Sequence, residues 1–156
     1  MDEKIVYAYV VADLLHTGHV LALENAKSLA GENAKLIVGV LTDEATMEKK
    51  PKPTISFSER IRLIKSLRCV DAAVPQEKYS PISNVKMIKP DILMESVSHS
   101  EEDLIEVIKI MNSWGGRVFV MPYYPEQSST KIKEEITQSW KKSNSYGEQN
   151  NHKGDF

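Results

Sequence analysis

Apolar residues along this chain switch repeatedly between two periods. Short runs dense in β-branched and aromatic residues, at Lys4–Val11, Leu36–Leu41, Ala72–Pro75, Asp91–Met94 and Arg117–Met121, have the length and composition of buried strands. Between them the apolar positions recur every three or four residues. From His19 onward Val20, Leu23, Ala26 and Ala30 form one face, with Glu24, Lys27 and Ser28 on the other. Ser56 and Glu59 have capping-box spacing ahead of a stripe of Ile61, Ile64 and Leu67, which predicts a helix near Ser58–Arg68. Another helix is expected from about Glu101 to Trp114, stopping at Gly115–Gly116. Strand, helix, strand in repetition predicts an α/β domain: five parallel strands, right-handed crossovers and helices on both faces.

In such sheets a ligand sits at the carboxyl ends of the strands, beside helix N-termini. The stretch "DLLHTGH", residues 13–19, turns from the first strand into the first helix at that place. Amides at a helix start favour an anion, and Gly18 has no Cβ to hold that anion away. Imidazoles at His16 and His19 add directional donors for phosphoryl oxygens, which suits phosphate-transfer chemistry. The plainer alternative has one imidazole capping the helix and the other filling the core. Metal binding would need further ligands, and His99 and His152 offer no recognisable spacing. Asp43 near the end of the second strand fits a dinucleotide-binding pattern, but the G-x-G-x-x-G that pattern requires is absent.

Composition narrows the partner. With 156 residues, 41% hydrophobic and 27% charged, the chain suffices for one domain with a real core. A net charge of −2 with dispersed Lys and Arg gives no broad surface for nucleic acid or membrane, so a small molecule is the expected partner. Cys69 is the only cysteine, which excludes an internal disulfide, and no apolar run reaches the length of a signal peptide or membrane span; a cytoplasmic address is expected. Residues 141–156 are polar and without periodicity, so residues 1–140 are expected to fold and the remainder to form a disordered tail or linker.

Two motifs carry a family resemblance. "DLLHTGH" resembles the H-x-G-H signature of the nucleotidyltransferase superfamily, and "SSTKI" resembles its late signature. Between them, "LTDEATMEKK" and "SFSERIRLIKSLRCVDAAVPQE" look like the middle of the cytidylyltransferase branch, typified by glycerol-3-phosphate cytidylyltransferases. "AD", "LTD", "VPQE" and "PY" are similar to the cytidylyltransferase-like domains fused to phosphoenolpyruvate mutases in phosphonate biosynthesis. The resemblance covers residues 4 to 136.

It implies a Rossmann-like fold and transfer of CMP from CTP to a phosphonate or phosphate oxygen, with in-line attack and release of pyrophosphate. His16 and His19 would hold the α- and β-phosphates; Val11, Ala12, Asp13, Gly18, Ser128, Ser129 and Thr130 would complete the nucleotide site. Mg²⁺ would bridge phosphate oxygens rather than sit in a protein cage. Lys49 or Lys50 would close over the triphosphate or acceptor, and Asp43, Lys50, Arg60, Arg68 and Tyr123 would face the acceptor. Away from the family, Arg60 and Arg68 read as exposed charges on one amphipathic helix, Ser128 to Thr130 as a helix cap, and the lysine pair as a solvated loop. A homodimer is implied, motivated also by the apolar residues of "RCVDAAV", and a mutase could be fused or separate.

Three stretches depart from the family pattern. "VVA" stands before Asp13 where G-[TS]-F is usual, "ESVS" at 95–98 replaces G-D-D-W, and "YYPE" at 123–126 replaces R-T-E-G. These positions help to shape the nucleotide and acceptor sites. The kept "AD", "VPQE" and "PY" make 2-hydroxyethylphosphonate and 2-aminoethylphosphonate the leading acceptors, and Glu95 or Glu126 would favour the amine if it faced the pocket. Glycerol 3-phosphate as acceptor, adenylyl transfer as in flavin-nucleotide synthases or pantetheine-phosphate adenylyltransferase, and a non-catalytic nucleotide-binding domain stay open as alternatives.

Overall fold

The computed structural model describes residues 2–97, 99–122 and 126–150, with backbone alone for 146–150. In chain order the elements are β1 (Lys4–Val10), α1 (Thr17–Ser28), β2 (Ala34–Leu41), α2 (Asp43–Met47), α3 (Phe57–Lys65), β3 (Ala72–Gln76), α4 (Ile82–Ile88), β4 (Ile92–Ser96), α5 (Glu101–Asn112), β5 (Arg117–Met121) and α6 (Ser129–Asn150). All strand pairs are parallel and the order is β3-β2-β1-β4-β5. This is the Rossmann-like α/β sheet the periodicity predicts. Pro75 lies in β3, an edge strand, where the missing N–H removes no bond from the sheet interior.

Two cores lie on opposite faces of the sheet. On one, Leu23 and Ala26 of α1 and Ile64 of α3 pack on Val6, Ala8, Leu36, Val38 and Val40. On the other, Val85 of α4 and Val107 and Met111 of α5 pack on Tyr7 and Leu93. The helices therefore change face between β3 and β4, which makes the gap between the carboxyl ends of β1 and β4 the topological switch point.

A polar network runs through the second core. Tyr7 Oη donates to Gln76 Oε1 at 2.7 Å and accepts from Asn84 Nδ2 at 2.8 Å, while Gln76 Nε2 donates to the carbonyls of Lys78 and Tyr79. Gly39 faces this network, and a Cβ there would collide with the Tyr7 hydroxyl. The glutamine of "VPQE" thus sets the path of the loop that carries Tyr79.

Two expectations change. Arg68 lies beyond α3, which ends at Lys65, and is exposed ahead of β3, at the amino end of the sheet. It is therefore on the side away from the switch point and cannot meet an acceptor there. The stretch read as a tail from residue 141 is helical to Asn150, because Lys141, Lys142, Glu148 and Gln149 extend a helix already nucleated by "STKIKEEI" and no proline interrupts it. Residues 151–156 lie outside the described residues.

Candidate active site

The loop after β1 holds an uncommon backbone. Ala12 and Leu14 have φ of 58° and 51°, in the left-handed region that costs non-glycine residues of order 1–3 kcal/mol each. Asp13 between them is buried and anchors the turn: its carboxylate accepts from the amides of Thr54 at 2.9 Å and Ile55 at 3.0 Å and pairs with Lys133 Nζ at 2.6 Å. Burial alone would raise its pKa, but the Lys133 and amide hydrogen bonds hold it below the usual carboxylate value. The Ser129 hydroxyl donates to the Asp13 carbonyl, so the start of α6 is fastened to the same turn.

The two histidines that follow form the cap of α1 and lie against each other. His16 is the N-cap of α1, its Nδ1 accepting from Gly18 N at 3.0 Å, and His19 Nδ1 accepts from His16 N at 3.2 Å. The ring centroids are 4.1 Å apart. Burial lowers the pKa of both; His19, also beside His16, is pushed down to about 4. Both imidazoles are therefore neutral at pH 7. Since each Nδ1 accepts, each ring proton resides on Nε2, and the pair presents two parallel-purpose Nε2–H donors. The amides expected to receive an anion are less available than the sequence suggests. Gly18 N serves the His16 ring and His19 N the His16 carbonyl, which leaves the imidazole Nε2–H groups as donors at this helix start.

Arg60 is fully buried, against the expectation of an exposed or acceptor-binding guanidinium. It donates to the carbonyls of Ile55 at 3.0 Å, Val11 at 2.6 Å and Leu41 at 2.8 Å, and to Asp43 Oδ1 at 2.7 Å. It ties the ends of β1 and β2 to the start of α3, and Asp43 serves it as counter-ion. Neither Arg60 nor Asp43 is positioned as an acceptor contact. Val11 offers its carbonyl to Arg60, and Thr42 of "LTD" caps α2 through Ala45 N.

A cavity of about 240 Å³ opens on the α4–α5 side of the switch point. Its walls include Tyr79, Pro81, Ile82 and Val107, and its polar lining includes Glu95 and His99. Tyr9 Oη lies 2.6 Å from Glu95 Oε2 and 2.7 Å from His99 Nε2. Lys49, exposed at the mouth, pairs with Asp103 at 3.6 Å and lies 4.9 Å from the Tyr79 ring centroid. Lys50 Nζ lies 6.0 Å from the Tyr79 ring centroid, and its charge works against protonation of both His19 and His99. The first loop and the cavity are thus neighbours.

Ser128 caps α6 by accepting from Lys131 N at 3.1 Å, and Thr130 is exposed one residue beyond Ser129. Tyr123 lies outside the described residues, and Glu126 is exposed. Among the described residues no group of three or more His, Cys, Asp or Glu comes together to hold a metal, and the carboxylate of Asp13 in the first loop already carries Lys133. Those side chains do not form a cage for Mg²⁺. No helix among the described residues is long and apolar enough to cross a membrane. The sequence alone does not bring out Tyr9, Tyr79, Lys133 or His99 as site residues, because Glu95 and His99 lie on a strand and the loop after it, where an i,i+4 spacing carries no signal.

A family model described as cytidylyltransferase-like matches residues 9–135. The FAD synthase of Methanopyrus kandleri is 32% identical, over 89% of this chain and 95% of its own length. The D-beta-D-heptose 1-phosphate adenylyltransferase of Bordetella bronchiseptica is 31% identical, over 88% of this chain and 85% of its own. Some curated relatives are much longer: the chain spans 27% of the bifunctional protein HldE of Magnetococcus marinus. Among solved structures, the lipopolysaccharide core biosynthesis protein of Thermoplasma volcanium superposes with a TM-score of 0.66 at 27% identity, covering 81% of this chain and 100% of that one.

Proposed function

Because this chain belongs to the cytidylyltransferase-like family of nucleotidyltransferases, we propose that it transfers CMP from CTP to a small phosphonate or phosphate acceptor and releases pyrophosphate. The observation that carries the reading is the pair of neutral imidazoles at the start of α1, whose Nε2–H groups are preorganised as donors. A phosphoryl group under in-line attack spreads negative charge over its oxygens, and donors fixed in place stabilise that charge without reorganising. Lys50, whose charge is felt by both His19 and His99, would add positive charge for the phosphates of donor and acceptor. The acceptor's anionic head would lie at Lys49 and Lys50, with its remainder in the cavity. No covalent intermediate is required. "VPQE" and the small cavity support a short acceptor, and a phosphoenolpyruvate mutase is the fitting metabolic partner.

Adenylyl transfer is the second reading, favoured by the names of two relatives, an adenylyltransferase and an FAD synthase. Calorimetric titration with CTP, ATP, GTP and UTP in the presence of Mg²⁺ separates them. We expect CTP to bind most tightly. Tighter ATP binding would replace cytidylyl by adenylyl transfer, and no binding by any of the four would contradict both.

A further inference from the structure

We infer that Glu95, with Tyr9 and His99, is a specificity determinant that selects an acceptor carrying a primary ammonium group at the end remote from its phosphoryl head. The inference rests on the nucleotidyl-transfer reading for the identity of the ligand, but the site itself is built from this chain's own geometry.

Glu95 is next to last in β4, near the switch point, is 3% exposed, and lines the cavity. Buried carboxylates are ordinarily paired with a cation. Among the described residues the only basic group within ion-pair range of Glu95 is His99, at 3.3 Å, and burial, with the charges of Lys49 and Lys50, works against a positive charge on that histidine. The hydrogen bonds define the direction of polarity. Tyr9 has one hydroxyl proton and two neighbours at bonding distance, Glu95 Oε2 and His99 Nε2. If it donates to the carboxylate, His99 must donate to it through Nε2, and the chain runs from imidazole through phenol to Glu95. Both ends border the cavity, and negative charge collects at the Glu95 end.

The surroundings favour a cation from outside the protein. Pro81, Ile82 and Val107 give the cavity an apolar side, while Glu48 and Asp103 add negative charge to its lining beside Glu95. The Tyr79 face already draws the ammonium of Lys49, and Lys49 itself is drawn to Asp103 rather than to Glu95. Burial pushes the Glu95 carboxyl up to about 7, as expected of a buried acid without a cationic partner, and an incoming ammonium would complete its ionisation. A hydroxyl in the same place would offer the carboxylate a hydrogen bond but no charge. The cavity is smaller than the roughly 300–1,000 Å³ of drug-sized sites, which suits a two- or three-carbon chain.

The test compares 2-aminoethylphosphonate with 2-hydroxyethylphosphonate at pH 8, first by calorimetric binding to the wild-type protein with a non-hydrolysable nucleotide present, then by kcat/KM. The amine is expected to bind more tightly. Glu95→Gln, nearly isosteric, is expected to weaken the amine about 10- to 100-fold, the range for losing a hydrogen bond to a charged group, while leaving the hydroxyl probe within about threefold. Equal or tighter binding of the hydroxyl probe to wild type, or binding of neither probe, would overturn the inference without any variant having to fold. An unchanged ratio in folded Glu95→Gln would do the same. Selective, Glu95-dependent amine binding without turnover would support the site while contradicting nucleotidyl transfer.

Discussion

Replacing His16 or His19 by asparagine is expected to lower kcat about 10²- to 10³-fold, equivalent to about 2.7–4 kcal/mol of transition-state stabilisation, with much less effect on nucleotide binding. Asparagine is chosen because it separates the two roles each ring plays. Its Oδ1 can accept the N–H that Nδ1 now accepts, from Gly18 at position 16 and from His16 at position 19, and asparagine is a good N-cap. What it removes is the Nε2–H donor on the far edge of the imidazole. Thermal stability should therefore change little while turnover falls. Because burial keeps both rings neutral, with His19 near 4, kcat should show no titration at the ordinary histidine value of 6.5. Steady-state kinetics over pH 5.5 to 9, with melting temperatures of the same samples, check both points. Near-parental turnover in both variants would reduce the first loop to a capped turn.

The second large effect concerns stability. Arg60→Met keeps most of the side-chain volume but leaves the carbonyls of Val11, Leu41 and Ile55 and the Asp43 carboxylate without their donor. Breaking a buried charged pair from one side costs about 3–5 kcal/mol, and the partly exposed Asp43, with 28% side-chain exposure, places this case toward the lower end. For a chain of this size the loss corresponds to a fall in Tm of roughly 6–20 °C. Arg60→Lys should recover only part of it, since one ammonium cannot reach acceptors in four directions. Differential scanning calorimetry is the measurement. An unchanged Tm in Arg60→Met would show that these hydrogen bonds contribute nothing net and return Arg60 to the pool of candidate ligand contacts.

The strands were legible because dense β-branched and aromatic runs of this length have few other uses, and β5 matches its expected bounds at Arg117–Met121. The helix start at Ser56 was legible because its cap is local: Ser56 Oγ accepts from Glu59 N, three residues away. Arg60 was not, because its partners come from the ends of two strands and a loop. On the helix alone, an arginine between Glu59 and Arg62 looks like any solvated charge. The same limit hid the cavity lining, where Tyr9 meets Glu95 and His99 across 86 and 90 residues of sequence. The left-handed turn at Ala12 and Leu14 gave no signal either, since neither residue is a glycine or asparagine and tertiary bonds to Asp13 impose the conformation. By contrast, the spacing of His16, Gly18 and His19 was readable as chemistry, because the cap and the donor pair are built within one turn of helix.

Transfer of the nucleotidyl group itself tests the account most directly. With CTP or ATP carrying a label on the α-phosphate, Mg²⁺, and 2-aminoethylphosphonate, 2-hydroxyethylphosphonate or glycerol 3-phosphate in turn, the labelled product and pyrophosphate are quantified together. The account predicts that label from CTP appears in an acceptor conjugate, one for each pyrophosphate released, and that His16→Asn and His19→Asn suppress both in parallel. Nucleotide that binds to the protein but never gives up its label to any of the acceptors would contradict it.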